Sequence, residues 1–95
     1  MWKDITSYSR DDKERSPTSF SNDVDGIRVT VTCGHVQYRP YWIMHCYELG
    51  INTYPLDDAP EGIEGLDIAK EKAISIVFKK SQKIAKAIEK MLEGD

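Results

Sequence analysis

Four side chains near the middle of the chain are of the types that bind metals or attack electrophiles. They are Cys33 and His35, separated by Gly34, and the adjacent pair His45 and Cys46. Thiolate and imidazole are the ligands zinc prefers. The spacing argues against a shared ion, because neighbouring residues on a strand point to opposite faces and His45 and Cys46 would need a bulge to meet. The usual paired ligand loop is missing as well. Nucleophilic catalysis would need an exposed, activated thiolate beside a base, and both cysteines fall on strand faces that read as core, next to Val31 and Met44. Two core thiols and two surface or loop histidines are the better reading, with no metal, no cofactor and no catalytic set. The chain carries no glycine-rich phosphate loop, no Gly-x-Ser-x-Gly and no His-Glu-x-x-His.

Two charged sets could instead serve binding. Asp57, Asp58, Glu61 and Glu64 lack the alternate-residue order of a calcium loop. They read as part of an acidic loop over residues 57–65, either solvated or docking a basic partner. Lys79, Lys83, Lys86 and Lys90 recur at helical spacing, with Lys80 near the edge of the stripe. Such a stripe suits phosphates, though lysine also lines the wet face of helices for solubility alone. The net charge of −3 conceals this segregation: residues 40–69 hold six acids and no Lys or Arg, whereas residues 70–95 hold seven lysines against four acids.

The elements that would position these groups follow from periodicity. Trp2 to Ser9 gives at most a short irregular edge strand, and residues 10–19, broken by Pro17, read as a flexible loop. Phe20, Asn22 and Val24 alternate before Asp25-Gly26, and Ile27, Val29, Val31 and Cys33 alternate after it. That is the signature of a hairpin with a two-residue turn. Tyr41 to Tyr47 forms the next strand, with Trp42, Met44 and Cys46 on the core face and Tyr41, Ile43, His45 and Tyr47 on the other. Residues 51–56 add a further short strand that Pro55 confines to an edge. A helix over residues 66–92 carries Leu66, Ala69, Ala73, Ile76, Val77, Ile84, Ala87, Ile88 and Met91 at helical spacing. Such a helix is about 40 Å long, roughly twice a six-residue strand. Its second half must therefore kink near Ser81-Gln82, pack on the N-terminal segment or meet another chain. The expected fold is α+β, a three- to four-stranded antiparallel meander followed by one long helix packed on one face.

Ninety-five residues suit a single domain. No apolar run is long enough to cross a bilayer, and the start lacks the order of a secretory signal, so a cytoplasmic location is expected. Cys33 and Cys46 are expected as free thiols there.

Two resemblances are carried by specific residues. The opening Trp2-Lys3-Asp4-Ile5-Thr6-Ser7-Tyr8-Ser9-Arg10-Asp11-Asp12 resembles the start of small phage and mobile-element proteins. A Gly-Ile-Arg-Val strand at 26–29, a Trp-containing strand, a Cys-x-x-Leu-Gly segment (Cys46, Leu49, Gly50) and an Ala-rich helix follow in those proteins as here. Residues 41–78 resemble the N-terminal half of HicB-type antitoxins through Glu48-Leu49 after a strand and through Ala69 and Ala73 on the following helix. The helix and the loop before it are longer here. That resemblance implies a partial ribonuclease-H-like or βββα topology and a masking role. A non-enzymatic module that binds a partner protein is the expectation, through Tyr41, Ile43, His45, Tyr47 and the four acids Asp57, Asp58, Glu61 and Glu64. A homodimer through the C-terminal helix is a further expectation. The alternative is a nucleic-acid-binding module using the lysine stripe.

Overall fold

The Asp25-Gly26 turn sets the register from which the sheet grows. In the computed structural model, which describes residues 1–6, 17–34 and 40–94, both turn residues have positive φ, +50° and +85°. A type I′ hairpin requires that, and its twist matches that of the flanking strands. The strands it joins are β2 (Ser19–Val24) and β3 (Ile27–Thr32), paired so that Asp23 opposes Arg28 and Phe20 opposes Val31. A three-residue strand, β1 (Trp2–Asp4), pairs with β2 at one edge. On the other side, β4 (Tyr41–Cys46) pairs with β3, and a 3-10 turn (Tyr47–Leu49) leads to β5 (Ile51–Pro60) at the far edge. The result is a five-stranded antiparallel sheet in the order β1-β2-β3-β4-β5, followed by one long helix, α1 (Ile63–Glu93).

The α+β meander expected from the sequence is present, with five strands rather than three or four. The reading of residues 57–65 as a loop is wrong. β5 continues through Asp57 and Asp58 to Pro60, and α1 begins at Ile63, which leaves a turn at Glu61 and Gly62. A register shift lets this happen: Trp42 faces Leu56 whereas Tyr41 faces Pro60. The extra β5 residues bend out, so that Asp57 and Asp58 are exposed while Ala59 is buried. An edge strand tolerates such a bulge and the two prolines beside it. Of the expected loop at 10–19, positions 10–16 lie outside the described residues, and Ser19 belongs to β2.

Trp42 is the centre of the core. It is fully buried, and its indole N–H donates to the Gly62 carbonyl at 3.0 Å. The one polar atom of the largest buried side chain is therefore satisfied. Around it lie Val29, Val31, Met44, Cys46, Leu56 and Ala59 from the sheet, and Ala69 and Ala73 from α1. The helix approaches closely because its sheet-facing residues are small: Gly65, Ala69 and Ala73 are its buried positions. A Cβ placed on Gly65 would overlap the backbone of Pro60, its carbonyl oxygen first.

Past about Phe78 the helix has no sheet beneath it. Its 31 residues extend roughly 46 Å at 1.5 Å per residue. The molecule measures 59 × 25 × 20 Å, and its radius of gyration is 15.6 Å, against about 12 Å for a compact chain of this length. No break occurs at Ser81-Gln82, where the Ser81 hydroxyl donates to the Phe78 carbonyl at 2.7 Å.

Two outcomes follow. Gly65→Ala is expected to cost about 3 kcal/mol or more, since backbone rather than a flexible side chain blocks the added methyl; urea unfolding at wild-type stability would refute the close approach. Burial raises the Cys46 thiol above its ordinary value of 9.0, with a smaller push in the same direction from Glu48. The unfolded chain loses that proton first, so the folded state loses stability as pH climbs past about 9 and keeps this contribution in full below it. The urea midpoint should fall between pH 8 and 10 more steeply in the wild type than in Cys46→Ala. Parallel slopes would contradict it.

Candidate functional site

Strand alternation divides β4 between two environments. Trp42, Met44 and Cys46 enter the core, and His45 and Tyr41 lie on the opposite, outer face. Cys33 and Cys46 are buried on the helix side. His45 is therefore on the other side of the sheet from Cys46, and His35 lies outside the described residues. Among the described residues no group of three or more His, Cys, Asp or Glu side chains could hold a metal ion.

The outer face carries a concavity. A groove of about 700 Å³ runs between the hairpin turn and the 3-10 turn, lined by Asp23, Ile27, Arg28, Thr30, His45, Tyr47 and Glu48, with Gly26 at its end. Its walls are tied together from three elements. The Arg28 guanidinium grips Asp23 in a two-pronged pair, Nε to Oδ1 at 2.9 Å and Nη2 to Oδ2 at 3.0 Å. The Arg28 backbone N–H donates to Glu48 Oε1 at 2.8 Å, which links the 3-10 turn to β3. The hydrogen bonds from Arg28, with its charge, hold the Asp23 carboxyl below its ordinary range, and Asp23 raises Arg28 in return.

His45 holds the neighbouring irregularity. Its Nδ1 accepts the Thr53 backbone N–H at 3.1 Å, where Thr53 sits at φ +54° in the second register shift of the β4–β5 pair. A β-branched residue in the left-handed region is rare and costly, and this hydrogen bond helps to secure it. The imidazole also stacks on Tyr47, with ring centroids 5.7 Å apart and 20° between planes. Tyr47 is 68% exposed, so its ring forms an open wall of the groove.

The residues picked out in the sequence separate into two patches. His45 and Tyr47 line the groove. Tyr41 lies at the far end of β4, opposite Pro60 and thus near Asp57, Asp58, Glu61 and Glu64. Of these acids, Asp58 pairs with Lys72 of α1, and Glu64 occupies the first turn of the helix, where a negative charge favours the helix dipole. Ile43 corrects an expectation: it is fully buried, between Thr32 and Pro55 in the register, and offers no surface to a partner. The groove residues that sequence reasoning passed over are Asp23, Arg28, Thr30 and Glu48. The first two were within reach, because a two-residue turn at 25–26 places Asp23 directly opposite Arg28.

The lysines of the stripe are placed as their spacing predicts. At about 100° per residue, Lys79, Lys83, Lys86 and Lys90 fall within roughly 60° of arc, and all four are exposed. They lie opposite Ile84, Ile88 and Met91 on the same helix. Among the described residues no helix is long and apolar enough to cross a membrane. Comparison of the chain with protein-family models, with curated proteins and with solved structures finds no match.

Proposed function

We propose that the protein is a non-enzymatic interaction module that binds a partner protein through the groove on the outer face of its sheet, as an inhibitor or antitoxin does. The observation that carries this reading is the exposed Tyr47 ring stacked on His45 above a groove whose Arg28 and Glu48 are already fixed in place. Tyrosine and arginine dominate the energetics of protein interfaces, and a surface held rigid before binding loses less entropy on binding. The polar groups of the groove are engaged in holding backbone and neighbouring strands, which suits recognition better than proton transfer. The masking role implied by the resemblance to HicB-type antitoxins, and the mobile-element origin implied by the other resemblance, belong to this proposal. So does a cytoplasmic location.

The test is photo-cross-linking in the native cell with p-benzoylphenylalanine in place of Tyr47, a substitution that preserves the ring. A discrete adduct at position 47, absent with the same group at Glu89 and abolished by Thr30→Arg, is expected. No adduct, or an equal one at both positions, would overturn the reading.

A second reading has one observation in its favour. Four exposed lysines share a narrow arc of α1, and none of them forms an ion pair with a described residue. Binding to duplex DNA or RNA through that arc would weaken linearly in log salt, with a slope of about −0.9 per phosphate contacted. The triple variant Lys79→Glu, Lys83→Glu, Lys86→Glu should then lose at least tenfold in affinity by fluorescence anisotropy. Binding that ignores both salt and charge reversal would exclude this use of the stripe.

A further inference from the structure

Helix α1 covers only part of the sheet. It packs on β3, β4 and β5, and the helix-side face of β1 and β2 lies open beside it. Between them runs an apolar groove floored by Trp2, Val24 and Ile27 and walled by Ile74 and Phe78. Val24 is 58% exposed and Phe78 60%. Its two hollows, about 510 and 270 Å³, meet at Ile74, and Lys70 closes one end by lying over the Trp2 and Phe20 rings. The same chain carries an element of matching character, the second half of α1, where Ile88, Met91 and Leu92 are exposed.

We infer that two copies of the chain associate about a two-fold axis, with the free half of each α1 lying antiparallel in the β1–β2 groove of the other. Three observations identify the occupant as a second copy. First, the chain exposes 6928 Å², whereas a compact monomer of 10.9 kDa exposes about 5,600 Å². The surplus of about 1,300 Å² exceeds the roughly 800 Å² that each partner contributes to a stable interface.

Second, the apolar direction on α1 turns along its length. The side facing the helix's own sheet carries Gly65, Ala69 and Ala73, and Ile74 lies about 100° around from it on the groove side. Past Phe78 the apolar arc widens to include both directions: Ile84 and Met91 continue the first, and Ile88 and Leu92 the second. A helix that must touch a partner helix on one side and a partner sheet below needs such a broad arc.

Third, charge selects the orientation. Residues 79–93 hold five lysines against two acids, whereas residues 63–78 hold three acids, Glu64, Asp67 and Glu71, against two lysines, Lys70 and Lys72. Antiparallel helices place the basic half of one copy beside the half of the other that carries a slight excess of acids, and they oppose the helix dipoles. A parallel pair would lay lysines beside lysines. Both contacts are the same contact seen from either copy, so the assembly closes as a dimer.

The test is sedimentation equilibrium of the full chain, followed by a mixing experiment. The wild type should sediment at twice 10.9 kDa, with dissociation on dilution. A helix variant, Ile88→Asp with Leu92→Asp, and a groove variant, Val24→Asp with Ile74→Asp, should each weaken dimerisation at least tenfold. All four positions are exposed, and near-ultraviolet circular dichroism checks that the core is intact. Mixing the two variants leaves one undamaged helix and one undamaged groove, so heterodimers should form more tightly than either variant dimerises alone. A wild type that stays monomeric at 1 mM overturns the inference whatever the variants do. So does a dimer indifferent to both variants, or a mixture no tighter than its components. Because Tyr47 lies on the opposite face of the sheet, none of these results bears on the partner groove proposed above.

Discussion

The structure depends on a close approach that works along only half of a helix. Gly65, Ala69 and Ala73 let α1 settle onto β4 and β5, where Trp42 fills the space and its indole N–H closes onto Gly62. Past Ala73 the small residues give way to Ile76, Val77 and Phe78, and the sheet ends. A 31-residue helix measures about twice a strand of this sheet. Short isolated helices are marginal in water, so the unsupported half draws its order from continuity with the packed half or from a partner surface. The elongated shape and the surplus of exposed area both come from this mismatch.

The sheet is used on both of its faces. On the helix side β3, β4 and β5 build the core while β1 and β2 leave apolar surface open. On the outer side the hairpin and the 3-10 turn are tied together through Arg28, with Asp23 and Glu48 as its partners. Backbone irregularities cluster where β4 meets β5, at the two register shifts. One of them holds Thr53 in the left-handed region against His45; the other turns Asp57 and Asp58 out to solvent. Edge strands commonly carry such bulges, which blunt their tendency to pair with other chains.

Much of this was legible in the sequence. The Asp25-Gly26 turn and the alternation on either side specified β2 and β3 with their register, and the period-two pattern of β4 separated His45 from Cys46. Three features were not legible. Ile43 reads as an outward residue by alternation, yet neighbours on that face enclose it, and burial on the second face of a strand leaves no periodic mark. The bulge at Asp57 and Asp58 hid a strand, because two acids between two prolines have the composition of a loop. The outer groove depends on Glu48 reaching back to the Arg28 backbone across twenty residues, and no local pattern announces such a contact.

The claim on which most else depends is that the second half of α1 is completed by another copy of the chain. Amide hydrogen exchange measured residue by residue along 80–92, at protein concentrations a hundredfold apart, tests it most directly. Protection in that segment should rise with concentration, while the amides of β3 and β4 behave alike at both concentrations except for any gain in global stability on association. Equal exchange along 80–92 at the two concentrations would contradict the account.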